Sequence, residues 1–137
     1  MNSATSSRST GTLAGRPCEW HRPQRGRGTV LLYLHGGAYL IGGPNTHRAI
    51  CSNLAKRGQM DVCALDYRLS PEHQYPAARE DALAAFQELI KLGYKPEQIV
   101  IGGDSSGGNL SLITSLRLRV QGLPQPAALV CFSPVTD

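Results

Sequence analysis

The chain has 137 residues with 41% hydrophobic content, 15 Gly and 9 Pro, a length and balance that suit one small globular domain and exclude a disordered chain. Net charge is +4, but residues 1–28 carry Arg8, Arg16, Arg22, Arg25 and Arg27 against Glu19 alone, and the remaining basic and acidic residues cancel. A nucleic-acid face on the folded part is therefore excluded, and so is a membrane span, because no apolar run approaches the roughly 18 residues a span needs.

Residues 1–17 are small and polar, with no acid, and are expected to be a flexible N-terminal lead-in. Cys18–Pro23 is expected as a short edge strand that stops at its proline. Gln24–Gly28 is a basic turn, and Thr29–Leu34 is a continuous apolar run of strand length, as in a parallel sheet covered on both faces. His35-Gly36-Gly37-Ala38 follows it, then a glycine-rich loop. Asn45 or Thr46 is expected to cap a helix that carries Ile50 and Leu54 and stops at Gly58.

Asp61–Leu65 is the next strand, and Asp66–His73 a polar loop marked by Pro71. Pro76 suits a first helical turn, and Ala82, Ala85, Phe86, Leu89 and Ile90 then repeat at helical spacing up to Gly93. Glu80, Asp81 and Glu88 are expected on that helix's surface. Ile99–Ile101 is a third parallel strand. Gly102–Gly108 leads from it into a helix with Leu112, Ile113, Leu116 and Val120 at helical spacing, ending near Gly122 and Pro124. Ala127–Phe132 is a last strand. Strands alternating with helices predict an α/β fold, a parallel sheet with helices on both faces.

Two stretches carry chemistry. Gly103-Asp104-Ser105-Ser106-Gly107 fills G-x-S-x-G between a strand and a helix, the context of a nucleophile elbow. Glycines there let a sharp turn close and let substrate approach, and the helix start aims free N–H groups at the serine. His35-Gly36-Gly37, after another strand, can turn backbone N–H groups toward a developing oxyanion, with the Ser106 N–H as third donor. Either stretch alone also reads as an ordinary glycine loop. The two together, each after a strand, point to a hydrolase-type site.

With these motifs the chain resembles the hormone-sensitive-lipase-like, or G-D-x-G, branch of the α/β-hydrolases. The resemblance rests on Tyr33–Tyr39, Asp66–His73, Tyr75–Ala78, Gly102–Leu110 and Ser133-Pro134, and runs from about Cys18 to Asp137. It implies a serine hydrolase of carboxylic esters, with some lactones, acting on a small-molecule ester and using no cofactor. Carried over, Ser105 is the catalytic nucleophile, and Gly36, Gly37 and Ser106 are the oxyanion hole. Ala38 and Ser106 differ from residues common in the family, yet both keep a backbone N–H.

The family's order places an acid and then a histidine after the nucleophile. Here His21, His35, His47 and His73 all precede Ser105, and Asp137 is the only later carboxylate. Residues 18–137 are therefore expected to be the N-terminal half of a hydrolase domain, with little activity by themselves. The alternative is a truncated, non-catalytic remnant or pseudoenzyme with a binding role. Residues 127–132 are expected to be an unpaired apolar edge strand, a site of self-association. Cys18, Cys51, Cys63 and Cys131 form no C-x-x-C and are expected as reduced thiols in a cytoplasmic protein, and no cluster has metal-ligand spacing.

Overall fold

A computed structural model describes residues 6–35, 39–67, 74–104 and 106–132; for 39–46, 74–76 and 106 only the backbone is described. The elements run β1 (Ser6–Leu13), β2 (Arg16–Pro23), β3 (Val30–Leu34), α1 (Tyr39–Gly58), β4 (Asp61–Leu65), α2 (Gln74–Lys91), β5 (Ile99–Asp104), α3 (Ser106–Val120) and β6 (Ala128–Phe132). They form one six-stranded sheet in the order β1-β2-β4-β3-β5-β6. The four strands β4, β3, β5 and β6 are parallel, as the alternating pattern requires.

Strand β3 is buried on both sides. Val30, Leu32 and Leu34 join a core with Ala82, Phe86 and Leu89 of α2 and with Leu110 and Leu118 of α3. Leu31 and Tyr33 face the opposite way, onto Cys51 and Ala55 of α1. A strand of period two between two helical layers needs apolar residues at every position, and Val30–Leu34 supplies them.

The expected lead-in is corrected over residues 6–13. They form β1, which pairs antiparallel with β2 in register from Ser6↔Pro23 to Leu13↔Arg16. A two-residue turn joins them, with positive φ at Ala14 (50°) and Gly15 (82°), the backbone twist that suits a tight hairpin. Ala-Gly is a weak turn signal, and the Ser/Thr alternation of β1 is nearly all exposed. Leu13 is the strand's one large apolar residue, buried in the core, too little for a periodic signal. One consequence of β1 is that β2 is an inner strand, between β1 and β4, and not an edge. The sheet is thus mixed, with two antiparallel strands at one side.

The arginines of this region anchor the hairpin. Arg8 and Arg48 each reach Glu19 Oε2 at 3.0 Å, and His21 Nε2 lies 2.9 Å from Glu19 Oε1. His21 is 2% exposed, and burial holds its imidazole below the usual 6.5 despite the pull of Glu19. Burial works to raise the Glu19 carboxyl, but hydrogen bonds from Arg48, His21 and Arg8 outweigh it and hold the group below 4.5. Both groups bind fewer protons folded than unfolded, so stability is full above the unfolded values and is lost as pH falls. A melting-temperature series will be level near neutrality, decline as pH drops below 6.5, and decline again below 4.5. Glu19→Gln will remove the second decline; an unchanged profile in that variant would dissociate Glu19 from acid sensitivity.

Three helical expectations change. Helix α1 begins at Tyr39, ahead of Asn45 and Thr46, and its backbone runs through Gly42, Gly43 and Pro44. Ile50 is exposed, and Cys51 and Ala55 are the buried positions. On α3 the stripe Leu112, Leu116 and Val120 faces outward, while Leu110, Ser111, Thr114 and Leu118 face the sheet. Ser111 and Thr114 are tolerated there because their hydroxyls donate to the carbonyls of Gly107 and Leu110, one turn back. Asp81 is buried, not on the surface, with its carboxylate 3.8 Å from Arg16 Nε.

Candidate active site

Parallel sheets place ligands at the carboxyl ends of their strands. Here three ends lie level: Leu34 pairs with Leu65 on one side and with Gly103 on the other. The residues that follow, His35, Asp66-Tyr67 and Asp104, therefore emerge at one edge.

Gly103 and Gly107 close the approach between the elbow and β3. A Cβ on Gly103 would sit 2.1 Å from the Leu34 carbonyl oxygen, and one on Gly107 would sit 1.8 Å from the same atom. No side chain fits in either position, so the first and last glycines of G-x-S-x-G are dictated by packing against the end of the central strand. Gly108 is also tight: a Cβ there would lie 2.6 Å from Cys131 Sγ.

Asp104 is anchored by its neighbours. The Tyr33 hydroxyl donates to Asp104 Oδ1 at 2.9 Å, and His47 Nε2 lies 3.8 Å from the same oxygen. Burial, then the Asp104 hydrogen bond and charge, push the Tyr33 phenol far above its usual value, so it stays a donor. Rings cluster around this carboxylate. Tyr33 lies 6.0 Å from both His47 and Phe132, and His35 lies 5.5 Å from His47 and 5.0 Å from Tyr67, centroid to centroid. The Tyr67 hydroxyl donates to the His35 carbonyl.

Beside this cluster a cavity of about 340 Å³ is lined by His35, His47, Arg48, Glu19, Leu65 and Asp66, among others. Cys51 also borders it, its thiol pushed up to about 12 by burial and by the charges of Glu19 and Asp104. Among the described residues no group of His, Cys, Asp and Glu could hold a metal ion.

Of the sequence-derived site residues, Ser105, Gly36 and Gly37 lie outside the described residues, and Ser106 is the first residue of α3. The structure brings together what flanks them: Asp104, Gly107 and His35 meet at the end of β3. His47, Tyr33 and Tyr67 had no assigned place in the site. Strand register was the missing signal, because Tyr33 and Asp104 are 71 positions apart in sequence.

A family model described as alpha/beta hydrolase fold matches residues 31–137. The chain is 46% identical over 126 residues to an acetyl-hydrolase of Streptomyces hygroscopicus, covering 92% of this chain and 42% of that protein. It is 43% identical over 125 residues to an esterase of Acinetobacter venetianus, covering 91% and 41%. Among solved structures, an esterase from the bacterial hormone-sensitive lipase family superposes with a TM-score of 0.86 at 43% identity, covering 93% of this chain and 43% of the other. The chain thus spans about two fifths of the length of these relatives.

Proposed function

From the premise that this chain belongs to the α/β-hydrolase family, in its hormone-sensitive-lipase-like branch, we propose that the protein containing it is a serine hydrolase of carboxylic esters. Residues from Ser6 onward, with β1 in the same sheet, supply the N-terminal part of its catalytic domain. Ser105 attacks the ester carbonyl and forms an acyl-enzyme, which water then cleaves. The N–H groups of Gly36, Gly37 and Ser106 receive the oxyanion. The supporting observation is the packing of Gly103 and Gly107 onto the Leu34 carbonyl, which puts the elbow's flanks against the strand that leads into His35-Gly36-Gly37.

In the α/β-hydrolase order the base follows the nucleophile, and every histidine here precedes Ser105, so its proton acceptor is assigned to polypeptide outside these 137 residues. That same observation favours the second reading, a binding remnant without turnover. Covalent labelling separates them. A fluorophosphonate probe will mark the full-length protein and leave Ser105→Ala unmarked; equal marking of both would remove Ser105 from the mechanism, and marking of neither would select the remnant.

Buried free thiols at Cys18, Cys51 and Cys63 support a reducing, cytoplasmic setting. Among the described residues no helix is long and apolar enough to cross a membrane. Strand β6 closes one side of the sheet with Leu129 and Val130 exposed, and Leu112, Leu116 and Val120 of α3 are exposed as well. An open strand edge beside apolar surface is an association site. Sedimentation velocity of the isolated 137-residue chain will show concentration-dependent oligomers, and charged substitution at Val130 will reduce them; a monomer at all concentrations would remove β6 as a contact.

A further inference from the structure

The Tyr67 hydroxyl donates its hydrogen bond to the carbonyl of His35, the residue just ahead of Gly36. A peptide unit is planar and trans, so its N–H points opposite to its C=O. Whatever fixes the direction of the His35 carbonyl also fixes the direction of the Gly36 N–H. We propose that Tyr67 is a positioning residue for ester hydrolysis: by holding the His35 carbonyl it aims the Gly36 N–H at the developing oxyanion. This rests on the hydrolase reading above.

Tyr67 is well placed to hold a fixed direction. It is 3% exposed and belongs to the core that contains Trp20, Leu34 and Leu65. The residue before it is tied to β2 on both sides of its backbone. The Asp66 N–H donates to the Pro17 carbonyl at 2.9 Å, and Arg16 Nε donates to the Asp66 carbonyl at 3.0 Å. The phenol ring stacks on the His35 imidazole at 5.0 Å and 21°, so ring and hydroxyl brace the same residue from one position. A preorganised donor does not reorganise as charge appears, and in a dry site that is where its value lies.

Tyr67→Phe keeps the ring stack and removes only the hydroxyl. In the full-length protein it will lower kcat for a short-chain p-nitrophenyl ester about tenfold or more, below the roughly 100- to 1,000-fold cost of losing a whole donor. KM will hold, and affinity for a boronic acid that mimics the tetrahedral state will fall in proportion to kcat. A purely structural role would lower the melting temperature without that proportionality. His35-Gly36 is the one His-Gly pair in these 137 residues, so carbonyl-labelled histidine with nitrogen-labelled glycine reports this peptide directly. Its signal will move in Tyr67→Phe. An unmoved signal, or a kcat equal to the parent's, overturns the proposal. If the parent shows no Ser105-dependent turnover, the hydrolase reading fails by itself. The peptide signal then decides alone: moved upholds the orienting contact, unmoved removes it.

Discussion

Ser105→Ala in the full-length protein will lower kcat for a short-chain ester by about a million-fold, the scale at which a triad serine hydrolase loses turnover without its nucleophile. The reason is that the proposed covalent route runs through the Ser105 hydroxyl, and the neighbouring Asp104 does not replace it. Asp104 is held through Oδ1 by the Tyr33 hydroxyl, so its anchored carboxylate braces the turn. The proposed oxyanion donors are backbone N–H groups, which the substitution does not remove. A residual acceleration of about 10³–10⁴ over water is therefore expected, from donors and binding alone. KM will change little, because the hydroxyl contributes mainly to the transition state. Steady-state kinetics with a melting curve on the same sample measures both. Retention of more than about one part in a hundred of kcat would remove Ser105 from the reaction.

The second large effect concerns Gly107. Gly107→Ala will destabilise the full-length protein by more than about 3 kcal/mol, beyond the usual cost of overpacking a core. The added methyl would meet the Leu34 carbonyl oxygen at 1.8 Å, the Leu34 carbonyl carbon at 2.7 Å and the His35 carbonyl carbon at 3.0 Å. All three are backbone atoms. A side chain can rotate out of the way, but β3 is paired on both sides, with β4 and β5, and is buried along its whole length. The chain escapes only by moving α3 off the sheet, which also draws the Ser106 N–H away from the end of β3. Stability and turnover will therefore fall together. Against a total of about 5–15 kcal/mol, the loss will show as a melting point lower by roughly 5 °C or more, or as insoluble protein. Gly11→Ala is the control, since a Cβ there meets nothing within 4 Å. Equal melting points for Gly107→Ala and the parent would mean that the elbow does not press on β3.

The amino-acid order alone determined the alternation of β3, α1, β4, α2, β5, α3 and β6, and with it the parallel part of the sheet. It did so because runs such as Val30–Leu34 and repeats such as Ala82, Phe86 and Leu89 carry their period locally. It also marked the glycines of Gly103–Gly107, where close backbone approach to Leu34 leaves no room for a side chain. Tertiary structure decided the rest. Hairpin β1–β2 is held by strand pairing, by Leu13, Cys18 and Trp20 in the core, and by Arg8 and Arg48 on Glu19, contacts that no local window contains. The inward face of α3 came from the sheet it packs on, which accepts Ser111 and Thr114 once their hydroxyls are bonded within the helix. Tyr33 on Asp104 and Tyr67 on His35 depend on strand register, which brings distant residues level only when the whole sheet has formed.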